Sequence, residues 1–187
     1  MIQIKLKDGS VKEYAEGMTV SDIARDISPG LARVALAGEV NGTTVDIRKE
    51  ILEDSSLNIL TFDDEDGKKA FWHSSSHIMA QAVRHLFPEA RLAIGPAIDN
   101  GFYYDFDVDR PFSTEDLEAI EKEMAKIVKE NLELKRFELP REEAIRVMEE
   151  KEEPYKVELI RDLPEDAVIS FYRQGDFTDL CAGPHIA

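Results

Sequence analysis

A single cysteine, Cys181, stands in the 187 residues, so no disulfide can close within this sequence. That usage fits a reducing compartment. Basic residues are also scarce: 23 Lys and Arg face 39 Asp and Glu, a formal net charge of −16. This balance argues against a surface that grips nucleic-acid phosphates broadly, which needs a basic face. It leaves room for a local basic patch, or for basic surface on another part of a longer protein. No run of about 18 or more apolar residues is available to span a bilayer. The N-terminus lacks a charged-then-apolar leader. The expectation is a soluble cytoplasmic protein with no membrane contact. Internal repeats and low-complexity segments are lacking too. Hydrophobic residues make up 43% of the chain and aromatics are spread along it, which excludes a disordered polymer. The length is comfortable for two small domains.

Residues 2–6 alternate apolar and polar like a half-buried strand, Asp8-Gly9 marks a tight turn, and Val11–Tyr14 resumes the strand. Thr19 can cap a helix over Val20–Asp26, with Asp22 at the capping-box position and Val20, Ile23, Ala24 and Ile27 as its apolar stripe. Pro29-Gly30 is expected to end it. Val34–Val40, the turn Asn41-Gly42 and Leu57–Phe62 then read as strand, hairpin and closing strand. The run Asp63–Gly67 has no apolar residue and is the expected domain boundary. Beyond it, a long helix runs from Lys68 to about Phe87, and Pro88 stops it. Ile94–Ile98 and Phe102–Phe106 flank the hairpin signal Asp99-Asn100-Gly101. Ser113 and Asp116 form a second capping box, before a helix to about Asn131. Pro140 and Pro154 open two further helices, and Val168–Arg173 and Phe177–Cys181 read as strands. The fold class is α+β: a small mixed sheet wrapped on one helix, then an α+β domain with a mixed or antiparallel sheet and a long His-bearing helix.

Two short motifs hold three of the four histidines and the cysteine. His73 and His77, four residues apart, lie on one side of the long helix, about 40° apart. Ser74, Ser75 and Ser76 between them are small enough to leave room for a ligand. Cys181 and His185 repeat the offset across Gly183-Pro184, which forbids a regular helix there. Three nitrogens and one sulfur make an acceptable tetrahedral zinc set. They equally suit a metal-free hydrolytic pocket in which an imidazole takes a proton from water. Spacing alone leaves both open. It excludes the HExxH metalloprotease pattern, because Ser74 stands where the glutamate would be. His85, about 120° round the helix from His73, reads as a boundary histidine. Taken one at a time, Asp179, Lys156 and Tyr104 read as an edge carboxylate, an exposed helix lysine and a core or edge aromatic.

The strings HSSSHIMAQAVRHLFPEARLAIGPAIDNGFYYDF, EPYKVELI and GDFTDLCAGPH occur together. Jointly they closely resemble the N-terminal part of bacterial threonyl-tRNA synthetases, over essentially the whole chain. The resemblance implies a TGS domain of β-grasp fold at residues 1–62, a linker at 63–67, and an editing domain at 68–187 that continues past Ala187 in the family. It implies hydrolysis of serine wrongly esterified to threonine tRNA. The partner is then the acceptor end of threonine tRNA carrying serine. The family's motif residues fall on His73 and Lys156 as catalytic groups, with His73 activating water or contacting the terminal ribose and Lys156 steadying the oxyanion or positioning water. They fall on His77, Tyr104, Asp179, Cys181 and His185 as substrate-binding groups, with Asp179 holding the substrate ammonium.

No metal is implied for editing, the alternative being zinc on His73, His77, Cys181 and His185. ATP and the catalytic zinc belong to an aminoacylation domain whose motifs this sequence lacks, so it is not expected to charge tRNA. A monomer is expected for this portion and a homodimer for the whole enzyme. Two other readings stand beside this one: a non-catalytic RNA- or protein-binding module, and a standalone zinc-binding trans-editing deacylase. The need for such a site is physical. A pocket that accepts threonine gains only about 1–3 kcal/mol against serine, which lacks one methyl, so a second site must invert the test.

Overall fold

A computed structural model describes Met1–Ala187. The chain divides into two compact units, Met1–Ser74 with Gly183–Ala187, and Ser75–Ala182.

The first unit is a five-stranded mixed sheet carrying one main helix. Its strands are β1 (Ile2–Leu6), β2 (Val11–Tyr14), β3 (Ala37–Val40), β4 (Thr43–Asp46) and β5 (Ser55–Leu60), in the order β2-β1-β5-β3-β4. β1 and β5 are parallel and every other pair is antiparallel. Helix α1 (Val20–Ile27) begins at the expected capping box, where Thr19 and Asp22 satisfy each other's backbone amides. Its stripe of Val20, Ile23 and Ala24 packs with Ile2, Ile4, Tyr14 and Leu57 into one core. Asn41 and Gly42 both take positive φ, as a two-residue hairpin turn requires. The segment after α1 differs from expectation. Pro29-Gly30 does not simply stop a helix but opens a second one, α2 (Pro29–Val34). Ser28 caps it by accepting from the Gly30 and Leu31 amides, and Pro29 occupies the first position, where a missing N–H costs nothing.

Helix α3 (Glu65–Leu86) starts inside the polar stretch expected as a linker. Gly67 lies so close to the Thr61 carbonyl that a Cβ there would sit 2.0 Å from its oxygen.

The second unit holds the rest of α3 and three further helices, α4 (Thr114–Glu130), α5 (Arg141–Glu150) and α6 (Pro154–Asp162). Between α3 and α4 lie four two-residue strands: β6 (Arg91–Leu92), β7 (Ala97–Ile98), β8 (Gly101–Phe102) and β9 (Phe106–Asp107). β7 pairs with β8 and β6 with β9, so the single long hairpin expected here is two short ladders. A three-stranded antiparallel sheet follows, with β10 (Leu134–Glu138) and β12 (Phe177–Leu180) on either side of β11 (Ser170–Gln174). β10 was not foreseen, because LKRFE carries three charges and lacks a clean alternation. Ala144 and Met148 of α5 and Val157 and Ile160 of α6 bury against Phe171 of β11, while Ala82 and Val83 of α3 meet Ile120 and Ile127 of α4. Leu117 and Val128 of α4 remain exposed. No helix is long and apolar enough to cross a membrane.

Candidate functional site

In the second unit, three of the expected side chains, Lys156, Tyr104 and His77, converge on the carboxylate of a fourth, Asp179. The strand alternation of β12 buries Phe177 and Asp179, and Cys181 follows on the same face. Phe177 packs with Ala80, Leu92 and Tyr104, which fixes the strand in depth. Lys156 occupies the third position of α6, where the positive end of the helix dipole disfavours a cation. It is nevertheless buried, at 4% exposure, and Asp179 at 2% compensates it: Nζ lies 3.1 Å from Asp179 Oδ1. The Tyr104 hydroxyl donates to Asp179 Oδ2 at 2.9 Å and accepts from Lys156 Nζ at 3.1 Å. His77 Nε2 is 3.9 Å from Asp179 Oδ2, and its ring meets Phe177 edge-on. Burial raises the Tyr104 pKa, and the neighbouring Asp179 charge raises it further, so the phenol keeps its proton and donates. Tyr104 itself is held between the Phe106 ring, stacked at 4.9 Å, and Gly95, where any Cβ would sit 2.1 Å from the Tyr104 ring. Cys181 is buried, its N–H donating to the Ser170 carbonyl and its own carbonyl accepting from Ser170 Oγ.

His73 and His185 belong to the first unit. Their rings lie 4.4 Å apart between centroids, tilted by 30°. Ser74 Oγ accepts from the Ile186 amide at 3.0 Å and lies within hydrogen-bond distance of His185 Nδ1, at 2.8 Å. The His185 amide in turn donates to Asp46 Oδ2, and Arg48 holds both Asp46 and the Ile186 carbonyl. The serines between the two histidines therefore do more than leave space. Ser74 anchors the C-terminal segment and Ser76 donates to the Gly95 carbonyl, both from buried positions. Of the four residues expected as alternative zinc ligands, His73 and His185 lie in the first unit and His77 and Cys181 in the second.

Sequence reasoning missed two groups. Glu153 closes an acidic run that reads as a solvated face, yet it is 5% exposed and paired with Arg84 at 3.2 Å. Burial raises its pKa against the opposing pull of the Leu92 amide and Arg84. His85 is also more than a boundary residue, with its two nitrogens 2.9 Å from Glu123 and 3.1 Å from Asp176. A cavity of about 200 Å³ opens beside these groups, lined by Arg84, His85, Lys151, Glu153 and Asp176 and reaching Asp179.

Residues 2–61 match the TGS domain family. Over 186 residues, all of this chain, it is 68% identical to the threonine–tRNA ligase of Acetivibrio thermocellus and 66% identical to that of Clostridium tetani, in each case covering 29% of the relative. The threonine–tRNA ligase of Caldanaerobacter subterraneus subsp. tengcongensis is 61% identical over 98% of the chain and 28% of its own length. The chain thus spans under a third of the length of these relatives.

Proposed function

This chain corresponds over its whole length to the N-terminal region of bacterial threonine–tRNA ligase, TGS domain included, and from that premise we propose that it carries the proofreading site of such an enzyme. The TGS domain occupies residues 1–62, and residues 68–187 form an editing domain that hydrolyses serine from mischarged threonine tRNA. Aminoacylation is left to parts of the relatives that this chain does not span.

The observation that carries this reading is the buried Lys156–Asp179–Tyr104 network with His77 at its edge. Ester hydrolysis needs a water, a proton acceptor, a group for the oxyanion that forms as water adds to the carbonyl, and polar groups to hold the amino acid. Lys156 spends two of its three donors on Asp179 and Tyr104, which leaves the third for a water or the developing oxyanion. Asp179 supplies negative charge for the seryl ammonium. His73 takes the proton from water or contacts the terminal ribose, and the leaving hydroxyl of the terminal adenosine recovers a proton. His77, Cys181 and His185 shape the pocket and read the serine hydroxyl. The reaction so drawn needs no metal.

The test is deacylation of seryl- and threonyl-tRNA by this chain. Faster loss of serine, abolished in His73→Ala, supports the reading. Retained tRNA binding with no turnover replaces it with a non-catalytic module. Zinc on His73, His77, Cys181 and His185 is the second reading, because those residue types suit a tetrahedral zinc site. Stoichiometric zinc in protein purified without chelator, with turnover lost on its removal, would establish that reading instead.

A further inference from the structure

We propose that Glu153 is a positioning residue for Lys156: its carboxylate ties the first turn of α6 to β6 and to α3, and so sets where the ammonium stands. The inference rests on the deacylase reading above. Glu153 Oε2 accepts from the Leu92 amide of β6 at 2.9 Å, and Oε1 lies 3.2 Å from Arg84 of α3. Arg84 is itself fixed, donating to the Ala90 carbonyl at 2.7 Å. The Glu153 backbone starts α6, its carbonyl accepting from the Lys156 and Val157 amides at 3.2 Å each. Its own amide donates back to Met148 of α5, across a reversal in which Glu152 takes φ 55°. Glu153 therefore joins four elements three residues before Lys156.

A buried ion pair is a poor device for stability alone. Taking both charges out of water costs several kcal/mol, and well-packed apolar side chains of similar volume commonly do as well or better. Position is what the pair supplies. The carboxylate fixes two directions at once, toward an amide and toward a guanidinium, which an apolar side chain cannot do. Lys156 needs that precision. It stands on a helix N-terminus that repels its charge, and it must reach Asp179 and Tyr104 together. A misplacement of about 1 Å at such a group costs up to about a hundredfold in rate.

The test uses the whole chain with three readouts. Glu153→Gln keeps an acceptor for the Leu92 amide but loses the ion pair. Seryl-tRNA deacylation is expected to fall about tenfold in kcat with KM within about twofold, because the ground-state contacts to tRNA are untouched. In a Lys156→Met background the same substitution is expected to cost nothing further, since the residue it positions is gone. Mass-spectrometric acylation of Lys156 is expected to rise severalfold, measured at a temperature where circular dichroism shows both proteins folded. Arg84→Lys, which keeps charge without the two-point geometry, is expected to move the same readouts in the same direction. It carries the test if Glu153→Gln does not fold.

Unchanged Lys156 acylation in both variants, or a full additional loss in the Lys156→Met background, would overturn the proposal. A parent that releases no serine would instead sink the deacylase reading, and the acylation readout would still decide whether Glu153 positions Lys156.

Discussion

Replacing Lys156 by methionine removes one partner of a buried ion pair while keeping most of the stem volume. Both side chains are nearly sealed from solvent, at 6% and 2% for Lys156 and Asp179. Screening that weakens surface pairs therefore does not apply. Breaking such a pair costs about 3–5 kcal/mol, chiefly because the surviving charge stays buried without compensation. Asp179 keeps the Tyr104 hydroxyl at 2.9 Å, which places the expected loss at the lower end, about 3 kcal/mol. At about 2–4 °C per kcal/mol, that is a fall of about 6–12 °C in melting temperature. Urea denaturation followed by circular dichroism measures it. The companion Lys156→Met, Asp179→Leu double variant is expected to regain most of the loss, since neither charge remains. A single-variant loss below about 1 kcal/mol, or a double variant that loses the sum of the two singles, would refute the reasoning. The result bears on function as well: a silent deacylase in a Lys156 variant is evidence of chemistry only if the protein is still folded at the assay temperature.

Two further outcomes are expected. Gly95→Ala should cost about 1–3 kcal/mol by overpacking and lower serine release, because the new Cβ meets a Tyr104 ring that Phe106 and Asp179 prevent from yielding; calorimetry and the deacylation assay read both. His85 should make stability pH-dependent: burial opposes its charge, but Glu123 and Asp176 outweigh burial and raise its pKa above the ordinary 6.5. A raised folded pKa means the contribution is complete below about 6.5 and is lost as pH rises through the higher folded value. Both carboxylates are held below their ordinary values, first by their hydrogen bonds to His85, so their contribution fades in acid. His85→Ala should therefore lower the melting temperature near pH 6 and leave it nearly unchanged near pH 9, by an amount below about 1 kcal/mol because solvent screens the bridge. A pH-independent difference between the two proteins would contradict that assignment.

Local signals carried the fold where one residue type settles a local geometry. The capping boxes at Thr19 and Ser113, the Asn41-Gly42 hairpin and the prolines that open α5 and α6 all stand where sequence places them. The failures have separate causes. Pro29-Gly30 reads equally as a stop or a start, and only Ser28 as an N-cap tips it to a start. The run 63–67 looks like linker because it is polar, but Glu65 and Asp66 are acidic residues in the first turn of α3, where the helix dipole favours them. β10 hides because its stability comes from pairing with β11 and not from its own residues.

The site was legible only as a collection of motif residues, since burial is a property of the fold. Lys156, Asp179 and Glu153 are residue types that nearly always face solvent, so composition argues against each of them taken alone. They are buried here because each compensates or orders another. Asp179 answers Lys156, Tyr104 caps the remaining oxygen, and Arg84 answers Glu153. No periodicity encodes such a set, because its members come from α3, β12, α6 and the loops before β9 and α6. A hydrophobic reading of the same chain locates the walls of the second unit correctly and leaves these charges on its surface. Their depth is what separates a solvated acidic run from a preorganised site: in the interior a fixed ammonium or carboxylate acts on a neighbouring charge with far less screening than at the surface.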